Sequence, residues 1–89
     1  NMTRNHIVEK IDCSTFRIYS LNSLDDINEY LPHDIPKDET YETLSGYIAS
    51  LSPDLPANGE VFEDEFYHYK ILTMSRKSPE LVEVKLKNS

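Results

Sequence analysis

At Gly59 the hydrophobic period of this chain changes from roughly 3.6 residues to 2, and strand patterns segregated from a central helical stretch argue against both an all-helical and a doubly wound architecture. Beyond Gly59, Val82, Val84 and Leu86 face one way while Glu83 and Lys85 face the other, the pattern of a half-buried antiparallel strand. Val61-Phe62 and Phe66 to Met74 read as two further strands, with Glu63-Asp64-Glu65 as the turn between them and Ser75 to Glu80 as the break before Leu81 to Lys87. Within the middle strand Tyr67, Tyr69 and Ile71 share one face, and Phe66, His68, Lys70 and Leu72 the other. One of these faces is expected to be core, because aromatics suit strands through packing alone; stacking on a flat ligand is the less favoured reading.

The first half of the chain supplies two strands and two helices. Ile7, Glu9 and Ile11 alternate with Val8, Lys10 and Asp12, and Phe16, Ile18 alternate with Arg17, Tyr19 after a break at Asp12-Cys13-Ser14. Ser23 stands three residues before Asp26 and ahead of Leu24, Ile27 and Leu31, which predicts a capped helix over 23–31. Pro32 and Pro36 stop it and keep 33–38 extended. Tyr41, Leu44, Ile48 and Leu51 then form one apolar stripe, the best helix in the sequence, ended at Ser52-Pro53. A second row, Thr43, Gly46, Tyr47 and Ser50, is mostly small; Gly46 costs about 1 kcal/mol in a helix interior, which points to close approach by a neighbouring backbone. The expectation is α+β: a mainly antiparallel sheet of about five strands packed against two helices, in the order β-β-α-α-β-β-β. One domain spans 7–87; residues 1–6, where Asn1 precedes Met2, are expected to be a flexible lead-in or a tag remnant.

Eighty-nine residues suffice for one modest core. Sixteen acidic against nine basic residues give a net charge of −7, which repels phosphate backbones and anionic headgroups, so neither nucleic acid nor a membrane surface is an expected partner. The single Cys13 cannot form an internal disulfide; it reads as a buried core cysteine, and a reducing, cytoplasmic location is expected. No apolar run approaches the length of a membrane span.

Little in the sequence points to chemistry. Gly46 and Gly59 are thirteen residues apart, so no glycine-rich phosphate loop exists. Cys13, His6, His33 and His68 lack the close spacing of a metal or nucleophile set. Two acidic clusters could suit hard cations: Asp25, Asp26 and Glu29, and Glu60, Glu63, Asp64 and Glu65. The first is accounted for by the helix dipole and the second by solvation of a turn, so no metal site is assigned.

The segment Tyr41-Glu42-Thr43-Leu44-Ser45-Gly46, followed by Tyr47-Ile48 and then by Pro56 and Gly59, resembles the Y-x-T-[LI]-[AS]-G … P … G core of the CorC/HlyC transporter-associated domain. Leu24 to Glu29 resembles that family's acidic first helix, Leu31 to Pro36 its proline-marked connection, and Phe66 to Leu72 and Leu81 to Leu86 its closing strands. Coverage runs from Ile7 to Lys87; Ser45 stands where alanine is common, and Pro53 enters the connection after the helix. The resemblance implies a domain C-terminal to paired CBS modules, often behind a membrane region, in hemolysin-like proteins linked to magnesium and cobalt efflux. It implies a non-catalytic role in modulating ion transport through contacts with the rest of the parent, and offers no catalytic residues to transfer. The motif residues to follow are Tyr41, Thr43, Leu44, Gly46 and Gly59. The family's fold is similar to a flavin-binding domain of certain oxidoreductases, which leaves flavin or adenine nucleotide binding as the alternative, by analogy of fold alone.

Overall fold

The computed structural model describes residues 7–88. The elements run β1 (Val8–Asp12), β2 (Thr15–Tyr19), α1 (Leu24–Asn28), α2 (Leu44–Leu51), β3 (Val61–Glu63), β4 (Tyr67–Ser75) and β5 (Ser78–Leu86). The expected α+β order is therefore present. All pairings are antiparallel in one five-stranded sheet of order β1-β2-β5-β4-β3. Both helices lie in the long connection that carries the chain from β2 to the far edge strand β3.

One face of the sheet is core. Phe16 and Ile18 of β2, Val82 and Val84 of β5, and Tyr67, Tyr69 and Ile71 of β4 are buried together with Leu24, Ile27, Ile35, Leu44 and Ile48. Each large aliphatic side chain so buried contributes about 1.5–3 kcal/mol of transfer free energy. The opposite face carries Arg17, Glu83 and Lys70 side by side across β2, β5 and β4, as expected of an antiparallel sheet with one wet side.

Several expectations change in detail. Helix α1 is shorter than 23–31: Ser23 caps it as anticipated, its Oγ accepting from Asp26 N at 3.2 Å, but after Asn28 the bonds tighten to i→i+3, with Tyr30 N donating to Ile27 O and Leu31 N to Asn28 O. The Asn28 amide is used elsewhere. It donates to Ile35 O at 3.0 Å and accepts from Ile35 N at 2.8 Å, which allows an irregular segment to bury Ile35 with its backbone satisfied. Cys13 is exposed, not buried, because the Asp12 carboxylate accepts from Ser14 N at 2.9 Å and folds 12–15 into a tight turn with Cys13 at its tip. Strand β5 starts at Ser78, inside the stretch expected to be a break. The turn is only Arg76-Lys77, with Arg76 at φ 58°, and Pro79 is accommodated where the β4–β5 register shifts. Residues 1–6 lie outside the described residues.

Candidate functional site

The motif residues converge at the start of α2. The apolar stripe suggests a helix from Tyr41, but the helix begins at Leu44, because Thr43 is extended (φ −112°, ψ 163°) and its Oγ1 accepts from Gly46 N at 3.0 Å. Tyr41 therefore precedes the helix, and so do Asp38, Glu39 and Glu42. The chain folds back at 38–41, where the Asp38 carboxylate accepts from Thr40 N at 3.0 Å and Thr40 Oγ1 at 2.7 Å. This return lays Tyr41 over the first turn of α2. A Cβ on Gly46 would stand 2.8 Å from Tyr41 Cβ, closer than real side chains approach. The glycine is thus explained by close approach, although the neighbour is the lead-in to its own helix.

Leu44 and Ile48 are fully buried and Leu51 half-buried, as the stripe requires. Around the helix start three amide donors are engaged: Ser45 N donates to Ser20 O at 2.8 Å, Gly46 N to Thr43 Oγ1, and Tyr47 N to Thr43 O at 3.0 Å. Ser20 is itself buried and donates through Oγ to Pro79 O at 2.5 Å, with Glu80 O 3.0 Å away, so it pins the helix start to the sheet. The two caps are adjacent: Ser23 and Thr43 form an isolated antiparallel bridge, and Leu24 N donates to Glu42 O at 2.8 Å. Both helices therefore begin at one place.

Next to these starts is an open groove of about 410 Å³, lined by Ser23, Leu24 and Tyr41 and by the charged Asp25, Lys37, Asp38, Glu39 and Glu42. The Lys37 ammonium pairs with the Asp25 carboxylate, whose hydrogen bond and charge raise the lysine pKa. Asp38 is held below the ordinary carboxylate value by the two Thr40 donors, the hydroxyl first. Four carboxylates face one ammonium here, so the groove is negative.

A second polar centre lies beside α2 at Tyr47. The Asp64 Oδ2 accepts from Tyr47 OH at 2.7 Å and from Tyr69 OH at 2.6 Å, while Oδ1 accepts from Phe66 N at 3.0 Å and Tyr67 N at 2.9 Å. Partial burial pushes the Asp64 pKa up, but the two phenols and two backbone donors outweigh it and hold the carboxyl below its ordinary value. Burial, followed by the Asp64 bond and charge, pushes both Tyr47 and Tyr69 well above the usual phenol range. Reading 63–65 as a merely solvated turn is therefore wrong for Asp64. Tyr67, from the same strand face, holds the connection after α1: its OH donates to His33 O at 2.6 Å and accepts from His33 N at 2.9 Å.

The remaining singled-out residues do not join a common site. Gly59 takes the left-handed conformation (φ 83°) at the entry to β3 and donates to Ile71 O at 2.7 Å, which makes it a turn residue of the sheet. His33 stacks on Phe66, ring centroids 3.9 Å apart and 5° from parallel, while His68 is exposed on the wet face of β4; His6 lies outside the described residues. Among the described residues no three His, Cys, Asp or Glu side chains are grouped so that they could hold a metal ion, and no helix is long and apolar enough to cross a membrane. Asn28 and Ser20 were not singled out by the sequence, and Asp64 and Tyr47 were noted only as members of an acidic turn and of a small-residue row, not as partners. Only Asp64 carried a local signal, an aspartate two residues before an exposed backbone N–H at a hairpin turn.

Comparison with known proteins agrees with this architecture. The transporter associated domain model, CorC_HlyC, matches residues 9–88. Among solved structures, a transporter associated domain from Nitrosomonas europaea superposes with a TM-score of 0.81 at 22% identity, covering 94% of this chain and all of that one. The Mg2+ and Co2+ transporter (CorC)-associated region from Neisseria meningitidis MC58 gives 0.80 at 15% identity, over 92% of this chain and 100% of that chain. A transporter associated domain from a CBS domain protein of Porphyromonas gingivalis gives 0.75 at 17% identity, over 90% and 97%. No curated protein matches the sequence. With the family model spanning nearly the whole chain, this protein belongs to the CorC_HlyC family of transporter associated domains.

Proposed function

We propose that the chain is a non-catalytic regulatory domain, a single unit over 7–87, that modulates ion transport by a larger hemolysin-like parent through contacts with that parent. One observation carries this reading: every motif residue is engaged in holding the fold. Thr43 caps α2, Gly46 admits Tyr41, Leu44 is core, and Gly59 turns the chain into β3. The motif is architecture, and where titratable side chains converge, at Asp64 with Tyr47 and Tyr69, they are engaged with one another. Two related structures carry the functional direction in their names, one associated with a Mg2+ and Co2+ transporter and one from a CBS domain protein. Magnesium or cobalt efflux, CBS modules as the contacting partners and a cytoplasmic position are parts of the proposal.

The groove at the helix starts supports contact with a positively charged protein surface better than with a phosphate. Its rim is negative, and the α2 amides of Ser45, Gly46 and Tyr47 are already bonded. Titration of the purified domain into the remainder of its parent, followed by calorimetry, tests the reading. Saturable binding that weakens at higher salt is the expected result. Absence of binding, whether the domain is separate or joined to its parent, would overturn it.

A further inference from the structure

We draw no further inference here: the strongest candidate, the solvent-facing side of the sheet where exposed Tyr19 and Val61 stand among Arg17, Lys70 and Lys85, is an uncovered face, and nothing in the structure shows what covers it.

Discussion

Replacing Asp64 by alanine should destabilise this domain more than its place in a surface turn suggests. The carboxylate receives two phenol hydrogen bonds, from Tyr47 and fully buried Tyr69, and two backbone bonds. A hydrogen bond to a charged acceptor contributes roughly 1.5–3 kcal/mol net, and an orphaned buried hydroxyl costs about 1–3 kcal/mol. Asp64 is only partly buried, so the low end applies. Two phenol bonds at about 1.5 kcal/mol each give a loss of about 3 kcal/mol, with the exposed Phe66 N–H recovering water. At roughly 4–8 °C per kcal/mol for a domain of this size, the melting temperature falls by about 12–24 °C. Urea unfolding of Asp64→Ala, Tyr69→Phe and the double variant measures this and isolates the coupling. Tyr69→Phe should cost about 1–1.5 kcal/mol alone and nothing, or less than nothing, once Asp64 is gone, because the phenol is then an orphan. An Asp64→Ala variant within about 0.5 kcal/mol of the parent sequence, or a Tyr69→Phe cost that is equal in both backgrounds, would refute the reasoning.

The same carboxylate fixes a pH response: its folded pKa lies below the ordinary 3.8, so its contribution is present above that value and is lost as pH falls through the folded pKa. The stability advantage over Asp64→Asn should therefore shrink as pH falls below about 4, and a constant difference would count against it. Gly46→Ala should destabilise despite a helix-propensity gain of up to about 1 kcal/mol, since its Cβ meets Tyr41 Cβ at 2.8 Å, and Gly46→Leu should cost about 1–3 kcal/mol; an unchanged or raised melting temperature for either contradicts the close approach. Thr43→Val removes the hydroxyl that receives Gly46 N and should cost about 1 kcal/mol in chemical denaturation, whereas a loss under about 0.3 would show the cap to be dispensable. Flavin dinucleotide should bind the isolated domain at millimolar strength or weaker, and a calorimetric dissociation constant at or below about 10 μM would promote nucleotide binding over the regulatory reading.

The fold was legible where periodicity and capping agreed. Val82 and Val84 are buried as their alternation requires, the Tyr67, Tyr69, Ile71 face is core, and Ser23 begins α1. Helix limits were less legible, because side-chain bonds to the backbone decide them. Thr43 starts α2 only because Oγ1 reaches Gly46 N, and Asn28 ends α1 only because Ile35 is there to receive its amide. Cys13 was misplaced since nothing in its side chain reveals that Asp12 turns the backbone beneath it. The motif itself was visible in sequence, but its meaning was not. A Y-x-T-x-x-G pattern shows its logic once the chain folds back and Tyr41 lies against Gly46. The Tyr47–Asp64–Tyr69 centre joins residues from a helix, a turn and a strand, and no local pattern announces such a meeting.

In the proposed reading this domain modulates transport without performing it, and the flux of magnesium through the proposed parent protein tests that most directly. Flux into vesicles should be measured for the intact parent, for the parent lacking residues 7–87, and for the parent carrying Glu39→Lys and Glu42→Lys at the groove. Transport that persists in all three but changes in rate or magnesium dependence in the latter two is the expected result. Flux identical in all three, with each protein folded, would contradict it.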